Sequence, residues 1–255
     1  MVGVLGSTVA APATYSPEVL EPIDRERGRA GIAHPSPRLV LGHDVWHCYE
    51  LSWLLPSGEV RYTTGALIIP ASSAHTVESK SLKLYLNSLN AHVFVSDEEA
   101  TDCIERDLSA LTQSRVTLQL LAFETLQESS RLATELEINV WQDDASRLEK
   151  SKRFTSIGFR SLCPVTSQPD WATLVIDVSA EHFDEEIIRE TVEGLRNHQG
   201  FHEQCVEDLY SRLESLLAPD QLQVVGFFQR RGGIDITPWR SSFAKAPVIT
   251  RLFEQ

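Results

Sequence analysis

The 255-residue sequence predicts an α+β protein. Two observations carry this. Stretches rich in aromatic and β-branched residues, bounded by Pro, Gly, Ser and Asp clusters, read as strands, and amphipathic stretches with apolar residues at three- and four-residue steps read as helices. The succession of strands and helices restarts in the second half without visible sequence repetition, which points to tandem modules of one kind.

Residues 1–40 are rich in Pro, Gly, Ala and Arg with no sustained period, and predict an extended or poorly ordered N-terminal arm. Val45 to Leu54 and Glu59 to Ile69 predict two strands joined by a hairpin turn at Pro56-Ser57-Gly58. An irregular piece follows, ending in Glu78-Ser79-Lys80-Ser81. Ser96 with Glu99 three residues on forms a capping box, opening a helix to about Leu111 with Ile104 and Leu108 on one face. Arg115 to Phe123 and Glu135 to Trp141 read as strands. Gln142 to Arg147 is polar and turn-rich, and is the candidate boundary between a module over 41–145 and another over 146–255. In the second half, Phe154 to Phe159 and Ala172 to Val178 predict strands, Phe183 to His198 and Phe201 to Leu217 helices, and Leu222 to Phe228 a closing strand.

Composition narrows the function. A formal charge of −13 opposes binding to a nucleic-acid backbone, which relies on clustered Lys and Arg. No apolar run approaches the roughly 20 residues needed to cross a bilayer, so no membrane span is expected. The four cysteines show no CxxC pair and suggest neither a zinc site nor a disulfide framework; a reducing cytoplasm is the default location. An anionic ligand needs a local basic patch, and two are present: Lys80/Lys83 and Arg230/Arg231, the latter followed by Arg240.

Four segments carry candidate chemistry. The first is Cys163 with Asp170 seven residues on: a thiolate attacks as a nucleophile, and a carboxyl held near it can hand over a proton. The plain alternative is a small buried thiol and a turn carboxylate bonded to its own backbone. The second is Phe201-His202-Glu203-Gln204-Cys205 at the start of a helix, where an imidazole beside a carboxylate can move a proton or merely suit the helix dipole. It lacks the second histidine of HExxH, and no metal site is expected. The third is Val77 to Ser88 (VESKSLKLYLNS), either a solvated helix face or a set of lysines and small hydroxyls fit for phosphate oxygens. The fourth is Gln229-Arg230-Arg231-Gly232-Gly233-Ile234-Asp235, with guanidinium groups beside glycines that permit close approach to the backbone. With no GxGxxG or GxxxxGK[ST], a nucleotide would not be held by a Rossmann or P-loop device.

Together ESKSLKLYLNS (Glu78 to Ser88), the Cys163 to Trp171 turn, FHEQCVE (Phe201 to Glu207) and RRGGIDITPWRS (Arg230 to Ser241) resemble the NADPH-dependent 7-cyano-7-deazaguanine reductases, nitrile reductases of queuosine biosynthesis, in their two-domain form. The resemblance implies tandem tunnelling-fold (T-fold) domains, a metal-free site and a homodimer. It implies Cys163 as the nucleophile that forms a thioimide with the nitrile, Asp170 as proton donor and His202 as an aid to proton transfer. It places Val77, Glu78, Ser79, His202 and Glu203 on the substrate, and Ser79, Lys80, Arg231 and Gly232 on NADPH. Pro164 is a departure, standing where relatives are expected to carry an aliphatic residue. Two rival readings remain: a nitrilase-like cysteine hydrolase that releases an acid, and a non-catalytic T-fold module that binds purines or pterins.

Overall fold

The computed structural model describes residues 11–121, 151–180, 184–243, 245–247, 249, 251–252 and 255. Its strands are β1 (Pro22–Asp24), β2 (Gly42–Leu54), β3 (Val60–Pro70), β4 (His75–Val77), β5 (Thr117–Leu121), β6 (Ser151–Leu162), β7 (Pro169–Ser179), β8 (Gln221–Phe228) and β9 (Ile234–Ser241). The helices are α1 (Arg25–Arg29), α2 (Ser79–Ser88), α3 (Asp97–Thr112), α4 (Glu185–Glu193) and α5 (His202–Leu217), with single 3-10 turns at Pro17–Val19 and Pro37–Val40. The architecture is α+β, as expected, with antiparallel sheets and helices packed on one face, consistent with tandem T-fold domains.

Among the described residues seven strands form one antiparallel sheet in the order β5-β3-β2-β9-β8-β7-β6. The two halves are joined at its centre, where β9 of the second half pairs with β2 of the first, from Gly42 opposite Arg240 to Cys48 opposite Ile234. Sequence reasoning missed β9. Pro238 argues against a strand interior, yet β9 alternates Ile234, Asp235, Ile236, Thr237 and is buried at every position.

Strand alternation sends even-numbered residues of β9 and β8 to the helical face. Trp46, Leu67, Ile234 and Ile236 pack there against α2 and α3, while Leu174, Ile176, Leu222 and Val224 pack against α4 and α5. The opposite face carries Val45, Val225, Phe227 and Trp239, covered in part by Leu252. Ser96 caps α3, its Oγ accepting from Glu99 N, but the expected capping box is not closed, since the Glu99 carboxylate accepts from Val95 N and not from Ser96 N; α3 ends at Thr112. The β2–β3 hairpin turns at Gly58, whose φ of +84° suits glycine. Helix α4 is shorter than its apolar pattern suggested, stopping at Glu193 before Gly194. The expected strand at Glu135–Trp141, the boundary at 142–147, and the ends at Phe123 and Phe183 lie outside the described residues.

One expectation is overturned. From residue 11 on, the N-terminal segment is not a loose arm. Strand β1 pairs with β4, Pro22 opposite Val77, and Glu78 N donates to Glu21 O. Behind it, Arg25 reaches Asp44 of β2 at 2.5 Å and Arg29 reaches Glu207 of α5 at 2.7 Å. Arg240 of β9 completes the cluster, 2.8 Å from Asp44 and 2.7 Å from Glu207, with its side chain fully buried. Burial opposes the charge on Arg240, but the carboxylates of Asp44 and Glu207 outweigh it and strengthen its hold on the proton. Arg240 is therefore no anion receptor. Its place in a basic patch was wrong because strand position, not sequence proximity, decides what a side chain meets.

Candidate active site

Two helix N-termini and two hairpin ends meet on the helical face, around a cleft of about 250 Å3. Sheet residues Trp46, Ile234 and Ile236 form its floor, and Ile23 of β1 part of its wall. Val77, Glu78, Ser79, Lys80, Cys163, Asp170, His202, Glu203, Arg231 and Gly232, the whole set of candidates from the sequence, line it.

Glu78 is the N-cap of α2. Its carboxylate accepts from Lys80 N at 2.9 Å and Ser81 N at 2.7 Å, and the residue is almost fully buried. That cap starts a helix at Ser79, where the sequence suggested irregular backbone, because an N-cap carboxylate satisfies otherwise orphaned N–H groups. Glu78 thus spends part of its acceptor capacity on the helix and keeps the remaining lone pairs for a ligand.

Helix α5 brings the second carboxyl. His202 and Glu203 are its first two residues, and the Gln204 side chain accepts from Phe201 N to close the turn. Thr76 of β4 donates to Glu203 Oε1 at 3.0 Å. Burial pushes the Glu203 carboxyl above its usual range, the Asp44 carboxylate adds to this, and Arg25 opposes it. The His202 ring stacks on Phe228 of β8, with centroids 4.1 Å apart and planes within 13°, and its Nε2 lies 3.5 Å from Asp170 Oδ1.

Cys163 directly follows β6, and the chain returns through a tight turn: Cys163 N donates to Gln168 O, Ser167 N to Cys163 O. Asp170 is not in this turn but in β7, paired with Ser161. A period of two puts Ser161, Cys163 and Asp170 on one side of the hairpin, so thiol and carboxylate face the same cleft. Asp170 does not bond its own backbone as a turn carboxylate would; it is 3% exposed and sits 2.8 Å from Arg231 Nη2. Cys163 is half-buried, whereas Cys205 is buried, lies 3.7 Å from Gly200 O, and has its thiol pushed up to about 12 by burial; both are free.

The fourth segment forms the β8–β9 hairpin. Arg231 and Ile234 exchange both backbone hydrogen bonds around Gly232 (φ +56°) and Gly233 (φ +84°), a two-residue turn that requires positive φ twice. A Cβ on Gly232 would lie 2.8 Å from Lys83 Nζ. The adjacent arginines part company: Arg231 enters the cleft, but Arg230 turns to Glu50 and lies over the Tyr49 ring. Sequence reasoning missed Ile23 and Trp46, and quoted Phe201 and Gln229 in their motifs without giving them a role at the site. Ile23 gave no local signal, because only its pairing to β4 brings it to the cleft. Among the described residues no group of His, Cys, Asp and Glu could hold a metal, and no described helix is long and apolar enough to cross a membrane.

Fold and cleft together mark an α+β protein that presents a thiol, buried carboxyls and a basic turn where the two halves of the chain meet. Residues 11–120 match the family described as nitrile reductase, 7-cyano-7-deazaguanine-reductase N-terminal, and residues 169–247 match the QueF-like protein family. Relatives named NADPH-dependent 7-cyano-7-deazaguanine reductase include that of Acinetobacter baylyi, 38% identical, with 94% of this chain and 93% of that protein covered. Those of Psychrobacter cryohalolentis (38%, covering 99% of each chain) and Desulfotalea psychrophila (35%, covering 98% and 96%) are similar. The chain belongs to the 7-cyano-7-deazaguanine reductase family.

Proposed function

We propose that this protein reduces 7-cyano-7-deazaguanine to 7-aminomethyl-7-deazaguanine at the expense of two NADPH, through a thioimide on Cys163, in the cytoplasm and as a homodimer serving queuosine biosynthesis. We further take 41–145 and 146–255 as its two modules. One observation carries the reading: all ten site candidates, drawn from four separated segments, line a single cleft.

The residues support the chemistry step by step. Cys163 Sγ bonds to the nitrile carbon while its proton passes through Asp170 to the nitrile nitrogen, so S–H adds across C≡N with nothing left over. Glu78 and Glu203 accept from the N–H edge of the base. The basic turn fits a phosphorylated dinucleotide: Lys80, Lys83 and Arg231 supply charge, and the bare Gly232 leaves room beside Lys83 Nζ. NADPH supplies hydride to the thioimide carbon and, in a second round, to the imine. Between the two, breaking the C–S bond returns the Cys163 thiol, and His202, fixed on Phe228, assists proton delivery to nitrogen.

Intact-mass analysis after mixing enzyme and nitrile without NADPH tests this reading. A mass increase equal to the whole nitrile, absent in Cys163→Ala, is expected, followed by NADPH consumption and amine formation when the cofactor is added. Acid release without NADPH consumption favours the hydrolase, and an unchanged function in Cys163→Ala favours the binding module.

A further inference from the structure

Arg231 has two claims on it. Its Nη2 lies 2.8 Å from Asp170 Oδ1 and donates to the carbonyl of Pro169, so it grips the first two residues of β7. Those residues pair with Leu162 and Ser161, the end of the strand that presents Cys163. Arg231 Nη2 donates to Pro169 O, and Asp170 Oδ1 receives no aligned hydrogen bond from the described residues. The carboxylate is therefore placed by an ionic contact, with His202 Nε2 further off at 3.5 Å. The partners differ in exposure: the Asp170 side chain is 5% exposed and that of Arg231 is 39% exposed. Arg231 reaches inward from solvent, on a turn of two glycines, beside Lys83.

We propose that Arg231 is a positioning residue for Asp170 and that the cofactor's phosphate competes with Asp170 for the same guanidinium. This rests on the reading of Asp170 and the cofactor given above. With the cleft free of cofactor, Arg231 aligns the carboxylate for capture of the nitrile; when an anion occupies the turn, the guanidinium turns to it and Asp170 is released. Arginine suits this because one nitrogen, Nη2, reaches the Pro169 carbonyl and the Asp170 carboxylate while the other N–H donors of the guanidinium remain for an anion.

The deciding measurement is the rate of nitrile adduct formation on Cys163 without NADPH, by quenched-flow mass spectrometry, in wild type, Arg231→Ala and Arg231→Lys. Loss of the clamp is expected to slow capture about ten- to a hundredfold, the scale of a small misplacement of a reacting group, with partial recovery in Arg231→Lys. Adduct formation at the wild-type rate with a raised NADPH KM would assign Arg231 to the cofactor alone and overturn the proposal. NADP+ titration gives an independent arm. Asp170→Asn is expected to tighten NADP+ about two- to fivefold, the range of an ion pair with one exposed partner, and to have no such effect in an Arg231→Ala background. Equal effects in both backgrounds refute the competition. Absence of any adduct in wild type counts against the nucleophile assignment instead, and the titration still decides the competition.

Discussion

Asp44→Asn tests the buried charge cluster that holds the two halves and the N-terminal segment together. Asp44 is fully buried between Arg25 at 2.5 Å and Arg240 at 2.8 Å, on side chains 3% and 0% exposed. Exposed pairs contribute at most about 1 kcal/mol, but removing one charge from a buried pair costs about 3–5 kcal/mol, because the partner is left uncompensated. Here two guanidinium groups would remain, with the Glu207 carboxylate shared between Arg240 and Arg29. The substitution is isosteric, so a cavity adds nothing. A loss of about 3–5 kcal/mol corresponds to roughly 6–20 °C in Tm for a chain of this size. Burial works against the charged form of Asp44, but Arg240 and Arg25 prevail and hold its carboxyl below the ordinary 3.8. For a depressed carboxyl the stabilisation is complete above the unfolded value and disappears as pH falls through the folded one. The gap between wild type and variant should therefore be level at neutral pH and close only in strong acid. Denaturant unfolding followed by tryptophan fluorescence reads it. A loss below about 1 kcal/mol at pH 7 would refute the claim that this cluster is desolvated and mutually dependent.

Three further outcomes are expected. Glu203→Gln should gain stability relative to wild type as pH rises: a raised carboxyl costs nothing below its unfolded value near 4.5 and destabilises once ionised, so a Tm difference that stays flat from pH 4 to 8 contradicts the burial effect. The same variant should bind the nitrile more weakly. Gly233→Ala places a Cβ 2.4 Å from the Glu50 carboxyl carbon at φ +84°; about 1–2 kcal/mol of backbone strain is expected before any clash, with a higher NADPH KM, and an unchanged Tm would show that the turn relaxes freely. Phe228→Leu removes the ring under His202 while keeping an apolar core; turnover should fall more than nitrile capture on Cys163, as rapid-quench comparison of the two steps would show, and equal losses would deny His202 a part in the later proton transfers.

Much of the fold was legible because its signals are local. Ser96 caps α3 within one turn of helix, Pro56-Ser57-Gly58 turns β2 into β3, and the apolar run at 172–178 reads as a strong strand. What was misread depends on distant partners. Strands β1 and β4 are each three residues long and exist because they pair with each other. Strand β9 contains a proline that local rules disfavour, yet it occupies the middle of the sheet. Arg230, Arg231 and Arg240 look like one patch in the sequence, but they face, in turn, the Tyr49 ring, the cleft and a sealed carboxylate pair.

The sequence by itself determined which residues are candidates for the chemistry, because thiol, carboxyl, imidazole and guanidinium groups are properties of side chains and of the motifs that hold them. It also determined the α+β class, since periodicity is a local record of which face is buried. Only the tertiary structure decided that the candidates share one cleft. The pairing of β9 with β2 brings the N-termini of α2 and α5 together, and strand alternation turns Cys163 and Asp170 to the same side. It decided, too, that Asp170 answers to Arg231 across 61 residues of chain, a contact set by the distance between two hairpin ends and by no spacing in the sequence.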